Sequence, residues 1–273
     1  MYLDTLDNFA AVAEKKASLI RSHPLSFFVS AMMAGAYVGL GIILIFSVGA
    51  TIDPAWKRLV MGASFGIALT LVVFAGSDLF TGHTMFMPIG WLRRRITGGD
   101  VASGWALSWL GNLAGAVALA WIFYAGGGGT LLSEGAPFLY KVAASKMAAP
   151  AGELFARAVL CNWLVCLSLW MAARTTSDAA KLVVIFWCLF AFIASGYEHS
   201  IANMTLFSIA LLGEHPETIS LAGMAHNLLW VTLGNILAGS VFMAGGYWYA
   251  SPSARVQVAR HAESPALAPA TPR

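Results

Sequence analysis

The chain has 273 residues, of which 59% are hydrophobic and only 11% charged, against roughly 25% charged in an ordinary soluble domain. So few charges cannot cover a water-soluble surface, which excludes soluble globular, disordered and coiled-coil classes and leaves a bilayer protein. The net charge of +3 is dispersed between apolar runs, where it reports membrane orientation and not nucleic-acid binding. Cys161, Cys166 and Cys188 all lie inside apolar stretches and make no disulfide framework.

Leu3, Leu6, Ala10, Ala13, Ala17 and Ile20 recur at helical spacing and predict a short amphipathic helix ending near His23-Pro24. Asp4, Asp7 and Glu14 make this segment unlike a signal peptide. A position on the membrane surface is as good a reading as a subunit contact or a gate. Six apolar runs follow. Ser22–Ile52 is the first, and Leu59–Ser77 the second, interrupted by Asp78 and resumed as Leu79–Leu92. Val101–Ser133 and Ala158–Ala173 are the third and fourth. Leu182–Tyr197 is interrupted by Glu198 and resumed as His199–Gly213, and Thr218–Ala254 is the sixth. A span needs about 20 apolar residues, so six crossings are expected, two of them broken. The expected organisation is one transmembrane domain over 1–250: a cytoplasmic helix to 24, a first repeat over 25–125, an outside loop over 126–151 and a second repeat over 152–250. The Pro- and Ala-rich segment 251–273 reads as a disordered cytoplasmic tail.

With both termini in the cytoplasm, the inside segments carry 11 Lys and Arg residues and the outside segments 5, the direction that the positive-inside rule requires. Arg93-Arg94-Arg95 is the strongest anchor. The two halves also match each other. Trp109-Leu110-Gly111-Asn112 resembles Thr232-Leu233-Gly234-Asn235, and Gly76-Ser77-Asp78 resembles Gly196-Tyr197-Glu198, at offsets of 123 and 120 residues. Each repeat holds three spans, so the second copy is inverted in the membrane. A matched pair of interrupted spans in inverted repeats points to a transport path at the repeat interface, because unwound backbone survives at that depth only beside protein or a water-lined cavity.

Gly76 and Gly196 let the backbone leave helical geometry. Asp78 and Glu198 are expected to accept from the freed N–H groups, a structural role preferred here to a proton relay. His199 is the imidazole at the second break, able to give a small anion a hydrogen bond or a proton. Thr81 offers a hydroxyl at the first break. Leu79, Phe80 and Phe192 flank the breaks as apolar constrictions or as ordinary packing. Lys146, by residue type alone, is a solvated loop charge, and His83 and His226 read as packing residues. A serine protease would need a nucleophile and base on facing elements, and adjacent Ser200 and His199 do not face each other on one helix. A haem subunit would need histidines paired across helices.

Ala34-Gly35-Ala36-Tyr37-Val38-Gly39-Leu40-Gly41, Gly76-Ser77-Asp78-Leu79-Phe80-Thr81-Gly82, Cys161-Asn162-Trp163-Leu164-Val165-Cys166 and Ser195-Gly196-Tyr197-Glu198-His199-Ser200-Ile201-Ala202-Asn203-Met204 together resemble the formate/nitrite transporter family. Thr81-Gly82-His83-Thr84-Met85 and Ile42-Ile43-Leu44-Ile45-Phe46 look most like its nitrite branch, with formate as the alternative substrate. The resemblance implies an all-α, aquaporin-like fold, a homopentamer with one pore per protomer, residence in a bacterial inner membrane and no cofactor, enzymatic activity or nucleic-acid partner. It implies pore roles for Thr81 and His199, a lysine near the outer mouth at Lys146, and constrictions at Leu69, Leu79, Phe192, Phe65 and Val165. Asn162 and Asn203 would border the pore. On this reading His199 couples anion passage to protons.

Overall fold

The computed structural model describes residues 2–252 and 254; apart from Ser251, Pro252 and Ala254, the expected disordered tail lies outside the described residues. Helix α1 (Leu3–Ser22) buries Leu6, Phe9, Ala10, Ala13, Ala17 and Ile20, the face that its helical spacing marks as apolar. It packs on α2 (Pro24–Thr51), the half-helix α5 (Phe80–Leu92) and the helix Gly98–Ala125. Polar ties reinforce that seat: Arg93 Nη2 donates to Asp7 Oδ1 at 2.5 Å, and Arg21 pairs with Asp100.

The second span is built from α3 (Pro54–Ser64) and α4 (Gly66–Ala75), and is followed by a break and then α5. Proline at the first turn and the Asp53 carboxylate, which accepts from Ala55 N–H at 2.8 Å, start α3. The third span is α6 (Gly98–Ala125), opened by a capping box between Thr97 and Asp100. After a short 3-10 turn (Gly129–Leu132), the connecting segment folds into α7 (Ala136–Ala148). The fourth span is α8 (Ala151–Ala172). The fifth is α9 (Asp178–Ser195), a break, and the half-helix α10 (Ser200–Leu212). The sixth begins as α11 (Leu221–Leu237), widens to π geometry over Ala238–Gly245, and ends in α12 (Gly246–Tyr249). Six helical stretches among the described residues are long and apolar enough to cross a membrane. Their outward faces carry exposed Trp56, Trp121, Ile122, Trp187 and Leu221, which suits lipid or an apolar neighbour and not water.

The helices pair as the internal duplication requires. α2 packs on α6 as α8 packs on α11, and each half-helix crosses to the opposite repeat, α10 against α6 and α5 against the π segment. Small residues permit those approaches. A Cβ at Gly35 would stand 2.0 Å from the Asn112 carbonyl oxygen, and one at Gly239 would stand 2.0 Å from Thr84 Oγ1. Trp109 and Thr232, which occupy equivalent places in the two repeats, hydrogen-bond each other (Trp109 Nε1 to Thr232 Oγ1, 3.1 Å), so the pseudo-two-fold axis passes between them.

Candidate functional site

Both breaks are made the same way. Gly76 (φ 76°) and Gly196 (φ 74°) end α4 and α9 in the left-handed region, where L side chains are strained. The next residue closes each cap: Ser77 N–H donates to Val72 O (3.1 Å) and Tyr197 N–H to Phe192 O (3.0 Å). Two residues then remain before each half-helix, Asp78-Leu79 and Glu198-His199, and one buried asparagine per break takes up backbone groups there. Phe80 N–H donates to Asn112 Oδ1 (2.8 Å), while Asn112 Nδ2 donates to Ala31 O (2.7 Å) and Asp78 O (3.0 Å). Asn235 repeats the pattern with Ser200 N–H (3.0 Å), Ala158 O (2.9 Å) and Glu198 O (3.2 Å).

The freed N–H groups go to asparagines and to carbonyls of neighbouring helices, Asp78 N–H to Ser30 O and Glu198 N–H to Arg157 O (both 3.4 Å), so the expectation that Asp78 and Glu198 accept them is corrected. Each carboxylate is instead the hub of an ion-pair cluster. Asp78 accepts from Lys16 Nζ on α1 (2.7 Å), His83 Nε2 (3.0 Å) and Ser30 Oγ (2.7 Å). Glu198 accepts from Lys146 Nζ on α7 (2.8 Å) and Asn203 Nδ2 (2.7 Å). Lys146 is thus no solvated loop charge: α7 carries it inward, and Asn227 Nδ2 donates to its carbonyl (2.9 Å). Sequence reasoning missed Lys16, although a signal was present. Lys16 sits between Ala13 and Ile20 at helical spacing, a charge on the buried face of α1. It also left His83 as packing. Substituting Lys16 with methionine leaves Asp78 two donors and removes one charged contact, so stability falls by about 2 kcal/mol. An unchanged thermal midpoint would mean that His83 and Ser30 suffice.

Thr81 and His199, 118 residues apart in sequence, meet where the breaks meet: Thr81 Oγ1 lies 3.2 Å from His199 Nε2. The other ring nitrogen is committed, because His199 Nδ1 accepts from Ala202 N–H (3.1 Å) and so caps α10. That bond puts the proton of the neutral ring on Nε2, the nitrogen facing Thr81. His199 stacks on Phe192 (centroids 5.9 Å apart), which meets Phe65 edge-on.

Two spaces adjoin this pair. On the α7 side a vestibule of about 340 Å³ ends at His199, Phe192 and Asn203, with Lys146 in its wall. Beyond His199 and Phe192 a void of about 10 Å³ is lined by Leu69, Leu79, Phe65, Val165 and neighbours, about the least space that holds one water. A hydrated anion cannot fit there, so whatever passes must shed its shell. Asn162 lies deeper in the protein. Its Nδ2 donates to Asn235 O (2.7 Å), Thr84 Oγ1 (2.9 Å) and Thr81 O (3.4 Å), so it joins the repeats behind the threonine. His226 stands apart, its Nε2 3.1 Å from Ala149 O.

Comparison with known proteins decides the family. The model of the formate/nitrite transporter family matches residues 3–249, the whole of the helical body just described. The chain belongs to the formate/nitrite transporter family. Among formate/nitrite transporters it is 56% identical to the nitrite transporter NirC of Escherichia coli (strain K12) over 264 residues, covering 95% of this chain and 96% of that one. It is 55% identical to the NirC of Salmonella typhimurium, covering 92% and 93%. A solved structure described as an FNT family ion channel superposes with a TM-score of 0.89 at 55% identity, covering 92% of this chain and all of that one. A pentameric formate channel with formate bound superposes at 0.70 with 25% identity, over 82% and 96%. The protein is a multi-pass membrane protein of a transporter family and not an enzyme.

Proposed function

We propose that the protein moves nitrite in either direction across the bacterial inner membrane, as a homopentamer with one pore in each protomer and both termini in the cytoplasm. Residues 1–250 form the channel domain, and the vestibule on the α7 side faces outward. The observation that carries this reading is the Thr81–His199 pair at the floor of a vestibule containing Lys146, with a narrow apolar void directly beneath. High identity to two NirC nitrite transporters over nearly the whole chain favours nitrite, and the fold of a pentameric formate channel supports the assembly.

The steps follow from cost. A bare anion in an apolar slit is heavily penalised unless it is paired or hydrogen-bonded. Lys146, although paired with Glu198, keeps ammonium N–H bonds in the vestibule wall that an anion near the floor can accept. There the Nε2–H of His199 is the donor that begins to replace its water, and the Thr81 hydroxyl is the next polar group; Asn203, whose amide donates to Glu198 and Asn227, shapes the floor. Leu79, Leu69, Phe65, Val165 and Phe192 exclude water from the short apolar stretch, so that an ion unable to accept those hydrogen bonds stays hydrated and outside. Asp78 and Glu198, with Gly76 and Gly196, hold the breaks open for this path. In proteoliposomes, nitrite and formate uptake compared over a range of pH should show nitrite moving faster. Formate equal or faster would make this a formate channel, and no flux of either would overturn the reading.

A further inference from the structure

The charge balance of the vestibule is uneven. Three cations line it, Lys57, Arg58 and Lys146, and no carboxylate does. Lys146 is already neutralised by Glu198 behind it. Lys57 is not: its ammonium rests 4.0 Å above the ring of Phe138, a vestibule residue on α7, and no carboxylate pairs with it among the described residues. A ring face holds an ammonium without cancelling its charge. Arg58, exposed on the next position of α3, likewise forms no ion pair among the described residues. The nearest acid in sequence, Asp53, caps α3 through one carboxylate oxygen and does not line the vestibule. The uncompensated positive charge of the vestibule therefore comes from α3 and not from the lysine nearest the histidine.

We infer that Lys57 and Arg58 form an outer anion-collecting site that concentrates small monovalent anions in the vestibule before they reach Lys146 and His199. Phe138 keeps the Lys57 ammonium turned to the vestibule wall instead of the lipid headgroups. The inference rests on the anion-channel reading and assigns its capture step. A site of this kind acts through the field in the vestibule, so it raises the rate when anions are scarce and changes nothing once they saturate the pore. Its reach follows the Debye length, about 30 Å at 10 mM salt and about 3 Å at 1 M.

The test is initial nitrite uptake, over a range of concentrations, into vesicles reconstituted with the α7 face outward, in 10 mM and in 1 M of an impermeant salt. The double variant K57Q/R58Q is expected to raise the half-saturating nitrite concentration about tenfold at low salt, the lower end of what electrostatic steering contributes. Its maximal rate and its behaviour in 1 M salt should match the unaltered protein, and K57R/R58K should behave as unaltered throughout. A half-saturation point that does not move at low salt would overturn the inference. So would an equal loss of rate at both salt concentrations, which would mark these residues as packing or anchoring groups. Absence of nitrite and formate uptake by the unaltered protein would instead sink the channel reading itself.

Discussion

His199→Leu is expected to cut nitrite flux about 100-fold in a channel that still folds. Leucine is what the first repeat carries at the equivalent place, Leu79, so the scaffold tolerates it there. The substitution removes the Nε2–H donor at the vestibule floor and leaves the anion only Thr81 beyond it. A hydrogen bond to a charged group contributes about 1.5–3 kcal/mol, and a dry site sits at the upper end. With about 1.4 kcal/mol per tenfold, that is about two powers of ten in rate. The lost cap on α10 costs about 1 kcal/mol of stability. His199→Asn separates the two chemistries that an imidazole allows. Its Oδ1 replaces the cap to Ala202 and its amide still donates. Flux within tenfold of the unaltered protein, with the same pH profile, marks His199 as a hydrogen-bond donor. A flux that loses its pH dependence marks the ring as a proton carrier. Leucine at 199 with flux within twofold of normal would refute any polar role.

Lys146→Met should destabilise the protein by about 4 kcal/mol and stop transport. The Glu198 side chain is only 4% exposed and would keep a single side-chain donor, Asn203. An uncompensated buried charge of this kind costs about 3–5 kcal/mol. The loss exceeds that for Lys16 because Asp78 retains both His83 and Ser30. The double variant K146M/E198L removes the orphaned charge along with its partner, and most of the lost stability should return while transport does not. Thermal unfolding in detergent reads the first quantity and vesicle flux the second. Recovery of transport along with stability would show that Lys146 serves only to neutralise Glu198.

The six spans and both interruptions were legible in the sequence because lipid imposes long apolar runs, and only two of those runs carry an acid in mid-membrane. The matching of Asn112 with Asn235 was also legible, but not its meaning: asparagine at both places signals duplication, and only the packed structure assigns them the backbone of the breaks. The carboxylates were misread for the same reason. Beside a glycine, Asp78 and Glu198 look like caps, while the lysines that claim them arrive from α1 and α7, far off in sequence. The π segment over Ala238–Gly245 leaves no periodicity signal in a run apolar on all sides. Lys57 and Arg58 read as ordinary positive charges of an outside loop until the vestibule shows which way they face.

The pseudo-two-fold axis makes the difference between residues 79 and 199 worth a count. A scaffold that duplicates its glycine, its acid and its asparagine places leucine on one side and histidine on the other. Between the two ion-pair clusters this leaves one imidazole, a threonine and an apolar collar. A proton wire needs successive groups that hand a proton onward, and here the sequence stops after one. On the proposed path a hydrogen ion travelling alone would meet the His199–Thr81 pair and then the apolar collar, so protons are expected to cross only in company with the anion.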